Sequence, residues 1–161
     1  MRYIPIIFFI FLFSLTVISC AKKSDSSSST SANGSPGTYQ LATNDYANGV
    51  ATDSSGNVYV TGGTKGGLDG NTSAGNTDLF VVKYNSSGTK QWTKQLGSSG
   101  LDSANGITID SSGNVYVTGV TFGGLDWNTS AGANDLFVVK YNSSGTKQWT
   151  KQLGTSSTDS A

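Results

Sequence analysis

The sequence contains no histidine and no glutamate, and Cys20 is its only cysteine. Such side chains supply most general bases, nucleophiles and metal ligands in enzymes. Their absence excludes Ser-His-Asp and Cys-His catalysis as well as the HExxH zinc site. One cysteine also excludes a disulfide within the chain. We therefore expect neither an enzyme nor a resident cofactor.

The chain also lacks an excess of charge of one sign. Its 161 residues include ten basic and ten acidic side chains. Proteins that bind nucleic acid concentrate positive charge to neutralise phosphates. The charge balance therefore excludes nucleic acid as a partner. Apolar residues at helical spacing are absent from the part of the chain that follows Cys20, so we predict no helix there.

The long apolar run is confined to the amino terminus. It extends from Ile4 to Ile18 and is shorter than the about 20 residues of a membrane span. Its length fits the apolar part of a signal peptide. The following Val17-Ile18-Ser19-Cys20 resembles a bacterial lipobox, whose cysteine carries a diacylglycerol. We predict a lipoprotein signal peptide over residues 1–19 and lipidation of Cys20; an ordinary signal peptide or an uncleaved anchor is the alternative.

Residues 20–37 are rich in serine and glycine and nearly free of apolar side chains. Such a segment buries too little apolar surface to become ordered. We predict a disordered tether that holds the folded part away from a membrane. The protein would then lie in a bacterial envelope, at the outer membrane or the cell surface, with the membrane as a partner through its lipid.

The rest of the chain is a tandem repeat with an offset of 57 residues. Aligning residues 45–97 with 102–154 leaves nine differences among 53 positions. A repeat of this length is typical of solenoids and propellers. We assign 38–101 to a first repeat with an added N-terminal strand, 102–158 to a second, and 159–161 to the start of a third.

Each repeat has the pattern of two β-hairpins. The decapeptide DSSGNVYVTG begins at Asp53 and again at Asp110. Its Ser-Ser-Gly predicts a three-residue turn with glycine in the left-handed position, and the aspartate can accept hydrogen bonds from the turn. The second hairpin turns at Asn85-Ser86-Ser87-Gly88. Period-two alternation places Phe80, Val82 and Tyr84 on one face of the preceding strand, and Trp92 and Leu96 on one face of the following strand.

The pattern Asp-x-x-Gly-Asn-x-Tyr-Val-Thr-Gly, followed by Asp-x-Phe-Val-x-Lys-Tyr and Gly-x-x-x-Trp, resembles the SBBP-type β-propeller repeat. It begins at Asp53, continues at Asp78 and ends at Trp92, and it recurs from Asp110 to Trp149. With the lipobox, the chain resembles the SBBP-repeat lipoproteins of spirochaetes. This resemblance implies an exported all-β protein made of four-stranded antiparallel propeller blades.

Two repeats are too few for a closed propeller, which needs about 4 to 8 blades. Three explanations remain open. The chain is a fragment of a longer protein, or copies of it pool their blades, or it forms an open piece. Open sheet edges attract further strands, so we expect self-association.

The segment from Gly63 to Thr77 and its equivalent hold five of the nine differences between repeats. Variable loops on a constant frame are common binding sites. Trp127 and Phe122 are aromatic differences that suit contact with a protein or a glycan; the alternative is that Trp127 covers a neighbouring blade. The spacing Asp69-x-Asn71-x-Ser73, repeated at Asp126-x-Asn128-x-Ser130, also suggests a partial calcium loop, without its glycine and glutamate. The residues predicted to bind a ligand are Trp127, Phe122, Asp69, Asn71, Asp126 and Asn128.

Three functions follow from these observations. We favour a non-enzymatic, lipid-anchored surface protein whose loops bind a protein or a glycan. The alternatives are a structural envelope component without a ligand, and a fragment of a propeller enzyme whose active residues lie in other repeats.

Overall fold

The computed structural model of the protein describes residues 45–160. The signal peptide, Cys20, the tether and the added strand before residue 45 lie outside these residues and stay predictions. Within residues 45–160, none of the helical segments has the length and apolar character required to cross a membrane.

Eight strands form two four-stranded antiparallel sheets, one from each repeat, with the strands in sequence order. This confirms the all-β prediction and the two tandem blades. Two single turns of 3-10 helix, at Leu68–Gly70 and Leu125–Trp127, were not predicted, because one turn is too short to show a helical period. The strands are β1 Tyr46–Thr52, β2 Val58–Thr64, β3 Asp78–Tyr84, β4 Lys90–Leu96, β5 Asp102–Ile109, β6 Val115–Thr121, β7 Asp135–Tyr141 and β8 Lys147–Leu153.

The repeated decapeptide forms the β1–β2 and β5–β6 hairpins. The Asp53 carboxylate accepts hydrogen bonds from the Ser55 and Asn57 amides, both at 3.0 Å, and from the Asn57 side chain at 2.7 Å. The Tyr59 hydroxyl donates to the same carboxylate at 3.0 Å. Gly56 takes the predicted left-handed conformation, with φ of 76°. The carboxylate therefore ties the turn to the strand that leaves it.

We expect these turn carboxylates to make the fold sensitive to acid. The Asn57 side-chain hydrogen bond holds the pKa of Asp53 below its ordinary 3.8, and Asn114 does the same for Asp110. A depressed pKa in the folded state stabilises the protein above the unfolded value, and this contribution is lost as pH falls through the folded pKa. Carboxyl titration by NMR should place both midpoints below 3.8.

The matched variant for this prediction is Asp53→Asn, which cannot ionise. Its melting temperature should change less than that of the wild type as pH falls below about 4. Equal pH dependence in the two proteins would contradict a stabilising role for the Asp53 charge.

The two faces of each sheet are chemically different. Cross-strand pairing puts Val60 beside Val82, and Tyr59 beside Lys83, on opposite faces of the first sheet. We call the side of Tyr59, Leu79, Val81, Trp92 and Leu96 the front face of the first sheet, and the side of Val60, Phe80, Val82 and Tyr84 its rear face. In the second sheet the front face holds Tyr116, Leu136, Val138, Trp149 and Leu153, and the rear face holds Val117, Phe137, Val139 and Tyr141.

The core lies between the front face of the first sheet and the rear face of the second. Tyr59, Leu79 and Val81 are fully buried there, opposite Phe137 and its neighbours. The predicted grouping of side chains by strand face is confirmed. Packing of like sheets front to rear is a head-to-tail arrangement, in which each sheet uses a different surface toward each neighbour.

Polar contacts fix the position of one sheet relative to the other. The Asn48 side chain donates to the Ala104 carbonyl at 2.9 Å, and the Asp102 amide donates to the Thr77 carbonyl at 2.7 Å. Thr77 and Leu101 form an isolated parallel bridge. The buried Asp102 carboxylate closes the connection by accepting from the Ser98 amide at 2.6 Å, and burial raises its pKa.

Candidate functional site

The candidate site is the loop between β6 and β7. Leu125 in this loop is fully buried in the core, whereas Trp127, two residues later, is fully exposed. The buried leucine anchors the loop and the tryptophan projects from it. Among the described residues nothing covers Trp127, so the alternative in which it seals a neighbouring blade finds no support there.

The backbone at Trp127 is in a conformation that side chains disfavour. Asp126 and Trp127 have φ of 53° and 66°, in the left-handed region. In the first repeat the equivalent residues are Asp69 at 52° and Gly70 at 80°. Glycine adopts this conformation without strain, whereas a bulky residue pays about 1–3 kcal/mol. The second repeat therefore places a large aromatic side chain at a position whose backbone conformation favours glycine.

A side-chain network holds the loop in place. The Gln152 amide group donates to the Gly123 carbonyl at 3.0 Å and to the Asp135 carboxylate at 2.6 Å, and its oxygen accepts from the Leu125 amide at 2.9 Å. The same carboxylate accepts from the Ala131 amide at 2.8 Å. The Ala131 amide and Gln152 together lower the pKa of Asp135. Both ends of the loop are thus bound to one strand pair, which positions Trp127 before any partner arrives.

Asp126 is held by an ion pair with Lys147 on the neighbouring strand β8. Burial is the largest single influence on the pKa of Asp126 and raises it, but the contributions of Lys147 and Thr150 together outweigh it, so the net pKa is lowered. In the first repeat Asp69 is bound in the same way by Lys90, whose hydrogen bond lowers the Asp69 pKa. Each of the two aspartate carboxylates is therefore paired with a lysine ammonium group.

The side-chain oxygens of Asp69, Asn71 and Ser73 do not converge on one point where a cation could bind. The Asn71 side chain donates to the Leu68 carbonyl at 2.7 Å, and Ser73 donates to the Gly75 carbonyl at 3.1 Å. With Asp69 paired to Lys90, each of the three predicted ligands is directed at a different protein group. Asn128 repeats the contact of Asn71, at 2.8 Å from the Leu125 carbonyl. The donor set does not fit calcium.

The six predicted binding residues thus separate into two groups. Trp127 and Phe122 are exposed, and Phe122 is linked by its amide to the Leu101 carbonyl at 2.9 Å. The four polar residues, Asp69, Asn71, Asp126 and Asn128, shape the loops from within. Ligand binding by any of the six stays a prediction, and the exposed aromatics are its strongest members.

Sequence reasoning missed the two glutamines that brace the loops, Gln95 and Gln152. Their signal was available, because a glutamine follows tryptophan by three residues in both repeats. The strained conformation of Trp127 was also missed. Its signal was Gly70 at the equivalent position, since glycine often marks a positive φ.

The fold and loops define a tandem repeat protein of the β-propeller blade class. The family model described as "SBBP: Beta-propeller repeat" matches residues 40–69 and 91–126. In these two segments the chain is similar to the SBBP β-propeller repeat. A curated relative, the regulatory protein FlaEY of Caulobacter vibrioides, is 26% identical over 117 residues. The similarity covers 64% of this chain but only 12% of that relative's length.

Proposed function

We propose that this protein is a non-enzymatic binding protein that is attached to a bacterial envelope through Cys20 and presents the β6–β7 loop to a protein or a glycan. The observation that supports the loop most directly is Trp127, fully exposed and in a left-handed backbone conformation. Strain of this kind persists where surrounding structure enforces it, and it concentrates at functional sites.

A binding role fits the chemistry of the loop better than catalysis. Its carboxylate, Asp126, has a lowered pKa and is paired with Lys147, so it is poorly suited to accept or donate a proton near neutral pH. An exposed tryptophan supplies a large apolar plane that stacks on a sugar ring or enters a pocket of a protein. The loop needs no movement to present this plane, because Leu125 and Gln152 already fix it.

The variant Trp127→Gly tests the proposal against the first repeat, which has glycine at this position. We expect it to bind at least about tenfold more weakly, because hot-spot aromatics carry this much binding energy. We also expect it to be up to about 1 kcal/mol more stable, because glycine relieves the left-handed strain. Binding is measured on immobilised glycans and extracellular-matrix proteins, and stability by chemical denaturation.

Opposite changes in binding and stability would separate a binding residue from a structural one. Removing a tryptophan that has a structural role lowers the stability of the protein, whereas removing a binding residue held in a strained conformation raises it. The comparison variant is Phe122→Lys, which copies Lys65 of the first repeat. It removes the second exposed aromatic but leaves the Trp127 backbone unchanged, so we expect weaker binding without the gain in stability. Binding by Trp127→Gly at the wild-type level would overturn the role of this loop.

The envelope attachment has a separate test. Mass spectrometry of the protein from its native host should find a diacylglycerol on Cys20 at the new amino terminus, and Cys20→Ala should release the protein from the membrane fraction. An unmodified Cys20 thiol would remove the anchor without affecting the loop.

A further inference from the structure

The rear face of the first sheet is an open apolar groove of about 760 Å³. The matching face of the second sheet is closed, because the first sheet covers it. There, Val117, Phe137 and Val139 are fully buried. The side chains that line the open groove include Tyr46, Val60, Leu68, Phe80, Val82 and Tyr84.

The front face of the second sheet is open as well. Leu153 is 70% exposed and Trp149 38% exposed. In the first sheet the equivalent Leu96 and Trp92 pack against the core. Within residues 45–160, no further sheet lies against the rear face at one end or the front face at the other, although Phe80 and Val82 in the floor of the rear groove are each only 6% exposed.

We propose that these two faces bind each other between copies, so that the chain assembles head to tail through a second copy of itself. The front-face residues named above are identical in pairs between the two sheets, and so are the named rear-face residues, which lie on the second and third strands of each sheet. The contact between copies can thus reproduce the contact that already joins the two sheets within one chain. Here the faces of the sheets, rather than their edges, carry the self-association.

The contacts at the rim of the existing interface support the same docking. The turn of the second sheet reaches the first, where a Cβ at Gly145 would lie 2.9 Å from the Trp92 ring. The equivalent Gly88 has open space around it. Docking of a second copy would bring its Trp149 to Gly88 and fill this space. The space around Gly88 is thus the counterpart of the packed contact between Gly145 and Trp92, and within residues 45–160 no further sheet fills it.

The contact between copies should be weaker than the contact within the chain. Ile109 packs against the core from β5, whereas its counterpart in β1 is the shorter and more polar Thr52. Val50 likewise replaces the larger Ile107. The intermolecular interface therefore buries less apolar surface. Front-to-rear contacts are heterologous, so repeated docking yields a ring if the rotation closes and a filament if it does not.

Two charge-introducing variants test the docking without touching the core. Leu153→Lys alters the open front face, and Val50→Lys alters the open rear face, where Val50 is 68% exposed. The full chain is studied in a mild detergent by analytical ultracentrifugation in the high-micromolar range. The wild type should sediment above monomer mass, and each variant alone should have an apparent dissociation constant raised at least about tenfold.

Mixing the two variants distinguishes head-to-tail contact from any other. Each retains one intact face, so the mixture should form a one-to-one dimer and stop there. Trp127→Gly is the control, because its loop lies on neither face and its association should equal that of the wild type. A monomeric wild type, or two variants that fail to pair when mixed, would overturn the proposal. Ligand binding by Leu153→Lys is measured separately, because it tests the proposed role of the β6–β7 loop and does not depend on docking between copies.

Discussion

Replacing Phe137 with alanine is expected to lower the free energy of unfolding by about 3–5 kcal/mol. The ring is fully buried where the second sheet packs its rear face against the first. Its removal leaves a cavity bordered by both sheets, which neither can close alone. Chemical denaturation followed by circular dichroism measures the loss.

The matched control is Phe80→Ala, the same residue in the first repeat. Phe80 is 6% exposed and lies in the wall of the open groove, where the neighbours can relax into the space. We expect a clearly smaller loss at protein concentrations where the chain is monomeric. If head-to-tail docking covers the groove, the cost of Phe80→Ala should rise with protein concentration. Equal losses for the two variants in dilute solution would contradict the unequal coverage of the two rear faces.

This pair also shows how far sequence reasoning reaches. The strands were predictable because turn chemistry and period-two alternation act over a few residues, as at Asp53 and Gly56. Phe80 and Phe137 stand in identical seven-residue strands, yet only one is covered by a second sheet. Coverage depends on which sheet lies next to which, and that order is a long-range property that no local pattern contains.

The candidate site divides in a similar way. Its location was predictable, because differences between otherwise identical repeats concentrate in this loop. The exposure of Trp127 was not, since an aromatic residue between blades is as plausible on sequence alone. What decides it is the left-handed backbone at Asp126 and Trp127, which turns the chain so that Leu125 enters the core and Trp127 leaves it.

The other large loss of stability is expected from substitution of the glycine that ends each decapeptide, Gly62 in the first repeat and Gly119 in the second. A Cβ placed on Gly119 would lie 2.0 Å from the carbonyl oxygen of Ser103, and one on Gly62 would lie 1.9 Å from that of Tyr46. In both hairpins the strand pairing shifts by a β-bulge beside this position, which brings the partner backbone over the glycine. A backbone oxygen cannot move aside as the end of a flexible side chain can.

Gly119→Ala is therefore expected to cost about 3 kcal/mol or more, since the two paired strands must separate or the bulge must be lost. The matched control is Gly66→Ala, where a new Cβ meets nothing within 4 Å and the unfolding free energy should change by less than about 0.5 kcal/mol. Amide hydrogen exchange should localise the damage in Gly119→Ala to the β5–β6 pair. A variant as stable as the control would show that the bulge rearranges freely, and that the final glycine of the decapeptide is not required by close backbone approach.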